Sequence, residues 1–192
     1  LILVDVDDVL AEFRIGFAEW ISFKYNIVPD VESEEYYFID DLKGSDVNPE
    51  RIFLDFVNEN GFYEYLKPVH GAIEFINNLK KLGYWVHLLT ARPEENVTCF
   101  YDTYHWLSSN GLYYDDLSFS SEKFRWCTQS KYYDSNSIAF AIDDSPKHAT
   151  EYAKHGICVK VPRKSYNKNI NVKENVEYYN NFEDLINKIK EK

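Results

Sequence analysis

Leu1-Ile2-Leu3-Val4 is a short apolar run ending in acids, the pattern of a buried strand. Phe13, Phe17, Trp20, Ile21 and Lys24 then recur at helical spacing, with Lys24 closing the apolar face. Residues 29–47 are acidic and irregular around a Tyr36-Tyr37-Phe38 cluster. Asn48-Pro49 predicts a helix start, because asparagine caps well and proline fits the first turn. That helix carries Ile52, Phe53, Phe56 and Val57, and Gly61 can end it.

From residue 71 the alternation becomes regular. A helix with Ile73, Phe75, Ile76 and Leu79 ends at Gly83, and a strand follows over Tyr84 to Leu89. The pattern then predicts a helix from about Glu94 to Ser109, a short strand at Leu117-Ser118-Phe119 and a helix from Glu122 to about Tyr133. A strand over Ile138 to Ile142, a helix over Pro146 to Lys154, a strand over Ile157 to Val161 and an amphipathic helix over Phe182 to Lys190 complete the chain. Strands alternating with helices imply an α/β fold: a Rossmann-like parallel sheet of about five strands with helices on both faces. Residues 1–12 and 68–192 form the expected core, and residues 13–67 the expected small helical cap inserted after the first strand.

Composition narrows the class. The chain of 192 residues is 45% hydrophobic and rich in Tyr and Phe, enough for a sizeable core. No apolar run approaches the roughly 20 residues of a membrane span, so the expectation is a soluble, cytoplasmic protein without membrane contact. Cys99, Cys127 and Cys158 are odd in number and widely spaced, which argues against a disulfide framework or a zinc site. The five histidines show no ligand spacing and read as ordinary packing or surface residues. A net charge of −11 repels polyanions, which counts against extended nucleic-acid binding but admits a small phosphorylated molecule. Lys160, Arg163, Lys164, Lys168 and Lys173 make one basic stretch, expected as a solvated loop.

Three strand endings carry unusual residues: Asp5-Val6-Asp7-Asp8, Thr90-Ala91-Arg92 and Asp143-Asp144-Ser145. In open α/β sheets ligands bind beyond the carboxyl ends of the strands, so these groups are expected to converge at one rim. Crowded carboxylates repel one another unless protonated or bound to a cation. An all-oxygen set of this kind suits Mg²⁺, which bridges to substrate phosphate.

These residues resemble the motifs of the haloacid dehalogenase (HAD) superfamily. Asp5-Val6-Asp7-Asp8-Val9-Leu10 is similar to its first motif, Asp-x-Asp-Gly-Val/Thr-Leu. Thr90 resembles the second and Asp143-Asp144 the fourth. The resemblance implies that Asp5 attacks phosphorus to form an aspartyl-phosphate, and that Asp7 protonates the leaving oxygen and then activates water. It further implies that Asp5, the backbone carbonyl of Asp7 and Asp143 hold Mg²⁺ with support from Asp144, and that Thr90 and the Ala91 amide hold phosphate oxygens. The third motif is a lysine that neutralises this charge. Lys123 and Lys131 are both candidates, and the place of Lys123 just after the Phe119 strand favours it. Asp8 stands where the family usually has glycine.

About eighty residues separate the first two motifs, and their order resembles the deoxyribonucleotidase (5' nucleotidase, C-type) family. Gly61-Phe62-Tyr63 followed by Leu66-x-Pro68-x-x-Gly71-Ala72 resembles that family's return from cap to core. Phe13 matches an aromatic that stacks on the nucleobase there, and the Tyr36-Tyr37-Phe38 cluster resembles its cap aromatics. Ala91-Arg92 departs from the small polar residue typical after the threonine, and Arg92 is expected to contact substrate phosphate or sugar. The implied substrate is a (deoxy)nucleoside monophosphate. The rival readings are a polynucleotide end-phosphatase, a sugar-phosphate phosphatase and a non-catalytic binding protein on the same fold.

Overall fold

The computed structural model describes residues 1–38, 42, 48–94, 96–129, 137–171 and 174–191. In chain order the elements are β1 (Ile2–Val4), α1 (Phe13–Tyr25), α2 (Pro49–Val57), α3 (Ala72–Lys81), β2 (Val86–Thr90), α4 (Val97–Ser109), β3 (Asp116–Phe119), α5 (Lys123–Gln129), β4 (Phe140–Ile142), α6 (Pro146–Lys154), β5 (Val159–Pro162), β6 (Val176–Tyr179) and α7 (Phe182–Lys190). Several boundaries are set by local chemistry the sequence displays. Asn48 accepts from the Glu50 amide, and the Ser145 hydroxyl accepts from His148 ahead of a proline-led first turn. Asn181 caps α7 in the same way through the Asp184 amide.

Among the described residues the strands form one six-stranded sheet, ordered β3-β2-β1-β4-β5-β6, and every pairing is parallel. The sequence pattern predicts about five strands; the sixth, β6, adds to the β5 edge with Val159 opposite Val176. Strand order reverses around β1: the chain leaves to one side through β2 and β3, then crosses to the other through β4. The carboxyl ends of β1 and β4 therefore flank the switch point, where an open α/β sheet leaves a crevice.

Alternation along the strands divides the core. Ile2 and Val4 join Val86, Leu88, Phe140 and Ile142 under Phe75, Ile76 and Leu79 of α3, Trp106 of α4 and Leu185 of α7. Leu3, Leu89 and Ala141 face the opposite way, onto Cys127 of α5 and Ala149 and Tyr152 of α6. A parallel sheet buried on both faces accounts for the near-continuous apolar runs of these strands.

A third group of buried residues, including Phe17, Ile21, Phe38, Ile52 and Phe56, lies between β1 and α3 in sequence. The two chain passages that lead to and from it run side by side. The Glu12 amide donates to the Lys67 carbonyl and the Val69 amide to the Leu10 carbonyl, both at 2.8 Å, with an antiparallel bridge between Ala11 and Pro68. Arg14 organises the loop beyond α1. Its guanidinium donates to the carbonyls of Val31, Ser33, Glu35 and Tyr36, and lies over the Phe38 and Tyr166 rings.

Candidate active site

Asp5 follows β1 directly and is 8% exposed. One carboxylate oxygen accepts the Val6 amide at 2.7 Å, and the other meets the Lys123 ammonium at 2.8 Å. Lys123, the first residue of α5, is 1% exposed and reaches Asp143 Oδ2 at the same distance, 2.8 Å. One ammonium thus bridges the acids at the ends of β1 and β4. Asp143 also accepts the Ser145 amide, and Asp144 accepts the Tyr166 hydroxyl at 2.7 Å. Oxygens of Asp5, Asp143 and Asp144 lie within 4.8 Å of one another, all buried. Lys131, the other lysine candidate, lies outside the described residues.

Three carboxylates against one ammonium is an unbalanced site. Burial pushes the Asp5 carboxyl up from its ordinary 3.8 to about 6, against the pull of Lys123. Burial also raises Asp143 despite Lys123, and raises Asp144 strongly with Asp8, Asp5 and Asp143 adding to it. Burial opposes the charge on Lys123, but Asp143 and Asp5 keep its pKa above that of an ordinary lysine. A carboxyl whose folded pKa exceeds its unfolded value binds its proton more tightly when folded, so its contribution to stability is lost as pH rises through that pKa. In chelator, thermal stability should therefore decline between about pH 4 and pH 6, the interval spanned by the two Asp5 values. Added Mg²⁺ should raise Tm most above that interval, where the acids are ionised. A chelated protein whose Tm climbs across the same interval would contradict this charge balance.

The expected residues fall at the same rim, with one unexpected pairing. Thr90 is fully buried at the end of β2, where its Oγ1 accepts the Arg92 amide at 3.2 Å, and Ala91 beside it is exposed. Arg92 turns inward rather than toward open space. Its Nη2 lies 2.6 Å from Asp7 Oδ1, and its Nε is 3.0 Å from Oδ2. Asp7 is thus paired with Arg92, while Asp5 and Asp143 share Lys123 and Asp144 lies beside them with Tyr166. Asp8 adopts φ 54°, a left-handed value that explains why glycine suits this place and that aspartate tolerates better than most residues. Its carboxylate accepts the Arg14 amide at 3.0 Å, giving the first turn of α1 a partner that glycine cannot supply. Burial raises the Asp8 pKa to about 6 as well, against that hydrogen bond and Lys164.

Phe13 is half-buried among Phe17, Phe56, Phe62 and Tyr63, with ring centroids 5.7 to 6.1 Å away. It also lines a cavity of about 110 Å³ with Asp8, Phe17, Tyr36, Tyr37 and Tyr166. The Tyr36-Tyr37-Phe38 cluster divides: Phe38 is buried under Arg14, Tyr37 is 68% exposed, and the Tyr36 side chain bonds Ser145 beside the carboxylates. Burial and then Asp144, Asp5 and Asp143 push the Tyr36 phenol far up, so it stays a neutral hydroxyl at the site.

The basic stretch is solvated in part: Arg163 and Lys168 are exposed as expected, Lys173 lies outside the described residues, and Lys160 departs. Lys160 is buried in β5 and pairs with Glu177 of β6, and Tyr166 and Asn167 are buried too. Asn167 donates to the Asp144 carbonyl at 3.0 Å, so this segment braces the acid pair from behind. Nothing in the periodicity marks Tyr166 or Asn167, since both act through a turn that has no apolar repeat.

The geometry invites comparison with known proteins. No curated protein matches this sequence. Among solved structures the chain is similar to a predicted phosphatase from Clostridium acetobutylicum, with TM-score 0.70 and 18% identity, covering 100% of this chain and 98% of that one. It is similar to a HAD family hydrolase from Deinococcus radiodurans with bound phosphate and sodium, with TM-score 0.68 and 15% identity over 99% and 94% of the two chains. The HAD-hydrolase YfnB from Bacillus subtilis, bound to magnesium, gives TM-score 0.63 and 15% identity over 98% and 97%. At these identities the likeness establishes a shared fold. The family model described as 5' nucleotidase, deoxy (pyrimidine), cytosolic type C protein (NT5C) matches residues 1–192. With that match running the full length of a HAD fold, the chain belongs to the cytosolic type C 5' nucleotidase family and is a HAD-type phosphatase.

Proposed function

We propose that the protein is a Mg²⁺-dependent nucleotidase that hydrolyses (deoxy)nucleoside monophosphates through an aspartyl-phosphate on Asp5. The observation that carries this reading is the buried trio of Asp5, Asp143 and Asp144 at the sheet's switch point, where Lys123 bridges Asp5 and Asp143. The trio fits the metal in chemistry and charge. Its donors are all oxygen, and when ionised they leave two negative charges beyond the one Lys123 balances. The Asp7 backbone carbonyl completes the proposed set. Bound there, Mg²⁺ would offset charge on the phosphoryl group in flight.

The remaining steps belong to the chain. Asp5 attacks phosphorus, and the bond from phosphorus to the leaving oxygen breaks as Asp7 supplies that oxygen with a proton. Asp7 then takes a proton from water as the water oxygen attacks the aspartyl-phosphate, which frees inorganic phosphate and restores Asp5. Lys123 neutralises Asp5 and the transferred group, while Thr90 and the Ala91 amide hold phosphate oxygens.

Residues 13–67 act in this reading as a cap on a core of residues 1–12 and 68–192. Support comes from the cap's own buried cluster and from the paired passages at residues 10–12 and 67–69. Ser165 of the core also donates to the Ser33 carbonyl at 3.0 Å. Phe13 and Tyr36 present aromatic surface beside the acids, which suits a planar base. Phe13→Ala should lower kcat/KM for nucleoside monophosphates by roughly ten- to a hundredfold, the scale of one base–aromatic stack. Hydrolysis of a small aryl phosphate should suffer less. Equal losses on both substrates would make Phe13 a packing residue and remove its role in base recognition.

A further inference from the structure

Arg92 is 4% exposed and its polar atoms are committed. Nε lies 3.2 and 3.0 Å from the two Asp7 oxygens, Nη2 lies 2.6 Å from Oδ1, and Nη1 donates to Thr103 Oγ1 at 3.0 Å. The Tyr63 ring covers the guanidinium at 4.4 Å. Thr103 is itself fixed, fully buried and donating to the Cys99 carbonyl at 2.6 Å. The Asp7 side chain is 24% exposed, so its buried side is held by the arginine while the rest stays accessible.

This arrangement leaves Arg92 poorly placed to grip substrate. A planar guanidinium that meets both oxygens of a carboxylate restricts that carboxylate in position and rotation, which a lysine's single ammonium does not. Burying an arginine is costly unless its partner is well placed, and here the partner is the residue assigned to proton transfer. We propose that Arg92 is a positioning residue that acts through Asp7, holding its side chain where the protonated acid passes its proton to the leaving oxygen and the resulting carboxylate then faces water. The inference rests on the reading of Asp7 given above. Its chemical consequence concerns the leaving group. An alkoxide, such as the one a nucleoside monophosphate releases, needs that proton as the bond from phosphorus breaks, and water returns one to Asp7 in the second step. A nitrophenolate leaves readily without it. The Thr103–Arg92–Asp7 chain therefore matters chiefly for sugar-linked phosphate esters.

The test compares a nucleoside monophosphate with p-nitrophenyl phosphate, using the full chain with Mg²⁺. Arg92→Lys should lower kcat on the nucleotide by about a hundredfold, the effect of a misplaced reacting group, with KM nearly unchanged. On the aryl ester the loss should be severalfold smaller. Thr103→Val, which keeps the volume and frees the far side of the guanidinium, should show a weaker version of the same split. It reports even where Arg92→Lys melts early. In the Asp7→Asn background, Arg92→Lys should add no further loss, because the two act as one unit. KM rising alike on both esters would mean that Arg92 touches substrate, and equal kcat losses or additive losses with Asp7→Asn would likewise overturn the inference. A split in Asp7→Asn without one in Arg92→Lys or Thr103→Val removes Arg92 alone. No split in Asp7→Asn would mean that the acid role of Asp7 is wrong, and the inference falls with it.

Discussion

Asp5→Asn should abolish turnover and leave no aspartyl-phosphate to trap. The substitution keeps the volume of a side chain that is 8% exposed, so the fold should survive. The amide oxygen can still accept from the Val6 amide, and Lys123 retains Asp143. What is lost is the proposed nucleophile. Removing the attacking group of a covalent enzyme typically costs about 10⁶ in kcat, which here means a rate near the background of most assays. Rapid acid quench with labelled substrate should give a phosphorylated protein for the parent and none for the variant. Near-normal turnover by a well-folded Asp5→Asn would make the covalent route wrong.

Lys123→Ala should damage both stability and rate. The ammonium lies between two buried carboxylates, and its removal strands both. Breaking a buried ion pair from one side costs about 3–5 kcal/mol, enough to lower Tm visibly in chelator. Mg²⁺ should recover part of that loss, since the cation meets the same uncompensated charge. Turnover should fall by at least about 10²–10³, the cost of losing one charge-stabilising group. Lys131→Ala should stay close to the parent in both respects. A mild Lys123→Ala beside a crippled Lys131→Ala would place the third motif elsewhere in the chain.

What the sequence revealed and what it hid divide along physical lines. Apolar runs ending in acids are local patterns, so β1, β2 and β4 were legible, and their carboxyl ends carried the site with them. Helices with strong caps were legible to the residue: α6 behind Ser145-Pro146 and α7 behind Asn181. Strand β6 was not, because Val176 to Tyr179 is short, half-buried and set among polar residues. Its order comes from pairing with β5. Arg92 was legible as a residue at the right rim, but its partner was not. Asp7 lies 85 positions away, and no spacing rule connects them. Tyr166 reaches Asp144 across 22 positions from a stretch whose charge suggested solvent. Asp8 shows the reverse case: the departure from glycine was plain, and its meaning emerged from φ and from the Arg14 amide.

The charge pattern ties these observations together. A chain with net charge −11 places four raised carboxyls, Asp5, Asp8, Asp143 and Asp144, near one another, with one fully buried lysine pairing two of them, Asp5 and Asp143. Such a cluster is poor at stabilising a protein by itself and well suited to a divalent cation and a phosphoryl group that arrive together. Phe13 and Tyr36 line a cavity with Asp8 beside it.

Initial rates on a panel of phosphomonoesters, with Mg²⁺ and with EDTA, test the central claim most directly. Nucleoside monophosphates should be the best substrates in Mg²⁺, ahead of sugar phosphates and phosphate-ended oligonucleotides, and EDTA should abolish every rate until Mg²⁺ is returned. Full activity in EDTA would contradict the metal assignment, and faster turnover of a sugar phosphate than of every nucleotide would contradict the substrate.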